Sequence, residues 1–263
     1  MSIEYLKTSS QCVISNNGLI GFNTKSVLTH WHGSDNLLNY ENNITKYGES
    51  WPWANVDITY QFNSAGHRNI IDPANLTDYI LVIGCSHTMG TGLPIDNVYW
   101  NQLNLKYPIY NLGISGSSND LIATNLAAWL RAVKIKPKLI ICQWTEENRF
   151  IYWKTTDRVG AWFTDPQIVK LFTSGVEVDY WKYVGIKFRE LILDLINAYN
   201  IPLIEFGLDF DFRPINNDLY KIYRWAELDF ARDIHGGPKS HAALASWIKQ
   251  EFSTTLDKYC LYS

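Results

Sequence analysis

Four clusters of polar and glycine residues in this 263-residue chain carry side chains suited to nucleophilic chemistry. Gly84-Cys85-Ser86-His87-Thr88 sets a serine directly after an apolar run. Asn111-Leu112-Gly113-Ile114-Ser115-Gly116-Ser117-Ser118-Asn119-Asp120 follows a second run, and Gln143-Trp144-Thr145-Glu146-Glu147-Asn148-Arg149 a third. The fourth, Asp233-Ile234-His235-Gly236-Gly237-Pro238-Lys239-Ser240-His241, precedes the final helical stretch. A serine hydroxyl is a poor nucleophile until an imidazole takes its proton, and a carboxylate must fix the imidazole tautomer. Ser86 on a strand-to-helix turn is exposed at a sheet edge, where its own N–H can face a developing oxyanion. Gly116 has no side chain to block close approach to its N–H; one such donor is worth about 3–4 kcal/mol in the transition state. His235 follows Asp233 in a glycine-rich loop able to bend over the strand ends. His241 lies past Pro238 in the first turn of a helix, where the dipole would lower its pKa. The base is therefore expected to be His235, with a structural or substrate-facing role for His241.

The elements that must position these groups read as alternating strands and helices. Tyr79–Ile83 is a continuous apolar run ending at Gly84, as a buried parallel strand should be. Runs 108–112, 138–143 and 201–206 repeat the pattern, the last with Pro202 near its start. Between them, Leu121, Ile122, Leu126, Trp129 and Leu130 form one amphipathic face, opened by a capping-box-like Ser117-x-x-Asp120. Val184, Phe188, Leu191, Ile192, Leu195 and Tyr199 form a second, and residues 239–259 a third. Such alternation predicts an α/β fold, a parallel sheet with helices on both faces. Ligands then bind outside the carboxyl ends of the strands. Residues 1–77 are rich in Asn, Ser, Gly and Trp, with only short strand-like pieces (12–14, 56–60) and no long helical period. They read as an irregular extension packed on a main domain of residues 78–263, itself interrupted by an insertion near 149–179.

Composition excludes several classes. Lys plus Arg is 23 and Asp plus Glu 26, a net charge of −3 that argues against a general nucleic-acid binder. No apolar run approaches the length of a membrane span, and the N-terminus lacks a signal-peptide pattern. A cytoplasmic protein is expected, or a virion-associated one if phage-encoded. Cys12, Cys85, Cys142 and Cys260 show no Cys-x-x-Cys pair, so buried free thiols are expected. Strand alternation would turn Cys85 away from a site that Ser86 faces. His30 and His32 would share a strand face but lack a third ligand, so no metal is expected. His67 and His87 read as packing residues, and Glu146-Glu147 as a solvated loop. The 11 tryptophans include Trp51, Trp53, Trp153 and Trp162 in irregular segments. They fit either core filling or a sugar-binding rim beside the site.

These motifs in this order resemble the SGNH (GDSL-type) hydrolase superfamily over roughly residues 61–250. Gly84-Cys85-Ser86 is similar to its Gly-Asp-Ser block, Phe62-Asn63-Ser64-Ala65-Gly66-His67-Arg68 to its lead-in, and the late Asp233/His235 pair to its Asp-x-x-His block. Gly-Cys-Ser-x-Thr-x-Gly with a late Gly-Pro-Lys-Ser-His resembles a branch met in bacteriophage and marine bacterial sequences. The resemblance implies a flavodoxin-like three-layer sandwich and a Ser86-His235-Asp233 triad. It also implies an oxyanion hole from Ser86, Gly116 and either Thr145 or Asn148. Cys85 stands in place of the motif Asp, Asp233 is one residue closer to His235 than the family pattern, and the third block matches loosely. The implied activity is a serine esterase without cofactor, removing acyl groups, acetyl above all, from a carbohydrate or small ester. Its partners would be an acylated small molecule or glycan, with a homo-oligomer or virion assembly left open. A catalytically silent binding module of a virion or cell surface is the rival reading, and acyl transfer to an alcohol a third.

Overall fold

A computed structural model describes residues 12–14, 19–22, 27–146, 151–154, 157–160, 178–209 and 220–259. In chain order the first elements are β1 (Cys12–Ile14), β2 (Ile20–Phe22), β3 (Leu28–Thr29), α1 (Leu37–Tyr47) and β4 (Tyr60–Gln61). The alternating part follows as β5 (Ile80–Ile83), α2 (Ser86–Met89), β6 (Ile109–Asn111), α3 (Asn119–Ala132) and β7 (Leu139–Trp144). After the antiparallel pair β8 (Ile151–Lys154) and β9 (Asp157–Gly160) come α4 (Val178–Ala198), β10 (Leu203–Asp209) and β11 (Lys221–Arg224). Helices α5 (Pro238–Glu251) and α6 (Ser253–Tyr259) end the described chain.

Five strands form one parallel sheet in the order β11-β10-β7-β5-β6. Because side chains alternate along a strand, each strand feeds two separate cores. Ile80, Val82, Leu139, Ile141, Ile204, Phe206 and Leu208 pack on Leu244, Ala245 and Ile248 of α5. Leu81, Ile83, Ile140 and Cys142 pack with Leu126, Trp129 and Leu130 of α3 and Ile192 and Ile196 of α4. The result is the expected three-layer α/β sandwich. The chain runs from β5 outward to β6, then crosses back to β7, so a crevice opens at the carboxyl ends of β5 and β7.

Several elements differ from the sequence expectations. Helix α1 interrupts a region expected to hold no long helix. Its Asn-rich sequence has poor intrinsic propensity, yet Asn36 caps it by accepting from Asn39 N–H at 2.9 Å, and Tyr40 and Ile44 anchor one face on the core. Helix α3 is capped at Ser118, whose hydroxyl donates to Asp120, and not at Ser117. The last helical stretch breaks at Phe252 into two helices. Strand β11 is an added edge strand. Trp51 and Trp53 are buried in the same core as β5 and α5, so they do not form an exposed rim.

Candidate functional site

The turn that presents Ser86 is built from steric necessity. A Cβ on Gly84 would lie 2.3 Å from Thr88 Oγ1 and 2.7 Å from Gln143 Oε1, so only glycine lets β5 turn into α2 here. Gln143 on β7 gathers the turn: its Oε1 accepts from Thr88 Oγ1 at 2.9 Å and from Cys85 N–H at 3.3 Å. Arg68 holds the other end of α2, donating to the carbonyls of Met89 at 3.2 Å and Leu93 at 2.7 Å and to that of Gly90, the left-handed residue ending α2. Asn111 Nδ2 shares the Met89 carbonyl at 3.5 Å and Leu93 N–H that of Gly90 at 3.2 Å, so Arg68 ties the end of α2 to the loop that follows it. The loop before Arg68 is shaped by Asn63, whose Oδ1 accepts from the N–H groups of Ala65 and His67. Ser86 itself is buried, and its hydroxyl rests on the Cys85 sulfur at 4.0 Å. Cys85 is the buried free thiol expected, its sulfur 3.4 Å from Gln143 Oε1, although its direction is not set by strand alternation. Strand β5 ends at Ile83, so the alternation rule no longer governs residue 85.

The carboxylate–imidazole pair is explicit. Asp233 Oδ2 meets His235 Nδ1 at 2.7 Å, and Oδ1 accepts the His235 N–H at 3.3 Å. The carboxylate is fully buried while the imidazole is one-quarter exposed. A carboxylate partner puts the ring proton on Nδ1 and leaves Nε2 as the acceptor, the arrangement a general base needs. The short Asp-x-His spacing closes because Ile234 takes a left-handed φ of +67°. For a β-branched residue this is a strained conformation, of order 1–3 kcal/mol. Burial alone would raise the Asp233 carboxyl. The charge of His235, hydrogen bonds from its ring and N–H, and one from Ser34 outweigh burial and hold it below the ordinary carboxylate value.

Two residues of the N-terminal region complete the loop, and nothing local in the sequence marks them. Ser34 Oγ donates to Asp233 Oδ2 at 2.6 Å. Its neighbour Asp35 takes a two-pronged ion pair from Arg232, Nε to Oδ1 at 2.7 Å and the second nitrogen to Oδ2 at 2.8 Å. Thus Ser34-Asp35 clasps Arg232-Asp233 across almost two hundred residues of chain. Gly92, at φ +77°, seals the far side, with room for no side chain against Asp233.

Four of the other five histidines are buried and pack. The ring of His87 lies 4.5 Å from Trp225, 5.3 Å from His235 and 5.9 Å from His241 between centroids. His67 bonds Tyr110 Oη through Nδ1 at 2.8 Å. His241 is buried, and its Nδ1 accepts the Tyr99 N–H at 3.1 Å. Its pKa is lowered to about 3, first by burial and second by the charge of His235. Burial takes the place of the helix dipole in that shift. His30 and His32 do not converge either: His30 meets Asp57 at 2.6 Å at the surface, whereas His32 is buried against Phe62. Among the described residues no cluster of three or more His, Cys, Asp or Glu could hold a metal ion.

The oxyanion candidates divide. Gly116 has a φ of +75° with open space where a Cβ would stand, so its backbone is accessible. The tighter glycine is Gly113, whose Cβ would come within 2.7 Å of Met89 N. Thr145 commits both donors elsewhere, its N–H to Asn119 Oδ1 at 2.8 Å and its hydroxyl to Glu146 at 2.6 Å. Glu146 is buried, not part of a solvated loop. Asn148, Glu147 and Trp162 lie outside the described residues, as does the side chain of Trp153.

No family model and no curated protein matches the chain. Among solved structures it is similar to AlinE4, an SGNH-hydrolase family esterase, at a TM-score of 0.34 and 14% identity, covering 68% of this chain and 74% of that one. It is also similar to a member of the lipolytic G-D-S-L family from Veillonella parvula, at a TM-score of 0.34 and 14% identity, covering 67% and 99%. Among the described residues no helix is long and apolar enough to cross a membrane.

Proposed function

We propose that this chain is a serine ester hydrolase of the SGNH type, with Ser86 as nucleophile, His235 as general base and Asp233 orienting it. The observation that carries this reading is the 2.7 Å Asp233–His235 pair, a partly exposed imidazole on a buried carboxylate, beside the ring of the residue following Ser86. In the reaction, Ser86 Oγ bonds to the acyl carbon while its proton passes to His235 Nε2. Asp233 stabilises the resulting imidazolium without taking the proton. The backbone N–H groups of Ser86 and Gly116 face the oxyanion, without Thr145. The C–O bond to the alcohol then breaks, with the leaving oxygen protonated from His235. Water repeats the sequence in reverse roles to release the acid.

The substrate we assign is an acyl ester, acetyl above all, of a carbohydrate or small alcohol. The same proposal takes residues 1–77 as an integral arm of the domain formed by 78–263. It also includes the bacteriophage-type branch, with a cytoplasmic or virion-associated setting. A silent binding module is the second reading. It is favoured by the Ser86 hydroxyl resting on the Cys85 sulfur and by the committed donors of Thr145. Hydrolysis of a short-chain aryl acetate separates the two. Turnover should vanish in Ser86→Ala with an unchanged circular dichroism spectrum, and wild-type turnover by that variant sinks the assignment.

A further inference from the structure

We propose that Ser34, in the N-terminal region, is a positioning residue that fixes the Asp233 carboxylate for His235 through its 2.6 Å hydrogen bond. The inference rests on the esterase reading for its kinetic consequence but on geometry for its substance. Asp233 Oδ2 receives two donors, Ser34 Oγ and His235 Nδ1, at 2.6 and 2.7 Å. The His235 contacts come from within the same strained three-residue loop and cannot by themselves anchor it to the rest of the molecule. Ser34 supplies a donor from a separate element.

That element is rigidly set. His32 and Asp35 exchange backbone hydrogen bonds at 2.7 and 3.1 Å, closing a tight turn through Gly33, whose φ is +62°. The Ser34 carbonyl accepts from Asn39 Nδ2 at 2.8 Å and from Asn36 Nδ2 at 3.1 Å, so the turn is held onto the start of α1. Asp35 is pinned by Arg232 and by the Tyr60 hydroxyl, and Asn43 of α1 donates to the Arg232 carbonyl at 3.1 Å. Ser34 thus meets Asp233 with both backbones fixed, the condition under which one hydroxyl can hold a carboxylate in a single orientation. Misplacing a reacting group by about 1 Å costs on the order of 10²-fold. Losing one of several restraints is a smaller step, about tenfold.

The experiment is a double-mutant cycle on the full chain, with Ser34→Ala, Asp233→Asn and the pair, read by aryl acetate turnover. Ser34→Ala should lower kcat about tenfold with KM unchanged, Ser34→Thr should restore it, and Ser34→Ala should cost nothing further beside Asp233→Asn. A loss of the same size in both backgrounds would show a merely structural role and overturn the proposal, as would wild-type kcat in Ser34→Ala. Proton NMR gives a second readout that needs no turnover. The downfield His235 Nδ1–H signal should shift or broaden in Ser34→Ala and return in Ser34→Thr. An unmoved signal overturns the proposal, whatever Ser86 does. A dead wild type or an active Ser86→Ala overturns the esterase reading instead.

Discussion

Replacing Gly92 by alanine strikes the Asp233 carboxylate at Oδ1, the oxygen that Ser34 does not bind. The new Cβ would stand 2.1 Å from Asp233 Oδ1, 2.8 Å from its Cγ and 3.0 Å from Ala231 Cβ. Ordinary contact between heavy atoms is about 3.5 Å, so one partner must move by about 1 Å. Gly92 cannot yield easily. Its N–H donates to Tyr60 Oη at 2.8 Å, and its carbonyl accepts from Arg232 N–H at 3.0 Å. The carboxylate therefore moves and loses the geometry of both its short hydrogen bonds. The left-handed backbone adds about 1–2 kcal/mol for any residue with a Cβ, and overpacking about 1–3 kcal/mol. In a domain of this size that lowers the melting temperature by roughly 5–15 °C. Turnover of an aryl acetate should fall on the order of 10²-fold, the usual cost of a 1 Å displacement. Thermal unfolding by circular dichroism and steady-state kinetics on the same preparation test both numbers. A Gly92→Ala protein that melts with the wild type and turns over normally would refute the packing argument.

Acid should destabilise the protein already in the histidine range. His32 and His241 are both lowered to about 3 by burial, with Arg68 and His235 respectively adding to the effect. Between pH 6.5 and 3 the unfolded chain binds a proton at each that the native state refuses, so stability falls as pH falls through that window. The slope approaches about 1.4 kcal/mol per pH unit for each histidine below its unfolded value, which integrates to roughly 3 kcal/mol for the pair between pH 6.5 and 5. Urea titrations should show it, and His241→Asn should halve the slope; a flat profile from pH 7 to 5 contradicts the burial argument. Ile234→Asn should relieve the left-handed strain, since asparagine tolerates that region, and raise the melting temperature by roughly 2–4 °C. An unchanged or lower melting temperature would mean that Ile234 is not strained.

The parts of this molecule visible in its sequence are those governed by local chemistry. The run Tyr79–Ile83 is a buried strand because it is continuously apolar and ends in glycine, and the pairing of Asp233 with His235 is legible by type and spacing. What escaped depends on distant partners. Helix α1 has three asparagines diluting a short stripe of Leu37, Tyr40, Ile44 and Tyr47, and it holds because Tyr40 and Ile44 find the core. Strand β11, Lys221–Arg224, is four residues with charges at both ends, a pattern shared with many loops. Its pairing with β10 defines it. Ser34 and Asp35 carry no motif, and their meaning lies entirely in Arg232 and Asp233 on the other side of the fold. The left-handed Ile234 is hidden for another reason. A β-branched residue argues against that conformation, and only the surrounding hydrogen bonds enforce it. Thr145 fits an oxyanion donor by position, but position says nothing of Asn119 and Glu146, which take its two hydrogens.

The central claim is that Ser86 is an activated nucleophile served by His235 and Asp233. Labelling the full chain with a fluorophosphonate probe, followed by peptide mapping, tests it most directly. The account predicts one labelled peptide, containing Ser86. The label should be absent from Ser86→Ala, and its formation should slow by about 10³-fold or more in His235→Asn, as loss of a triad member does. A label on another serine, or no label under conditions that saturate an active serine esterase, contradicts it.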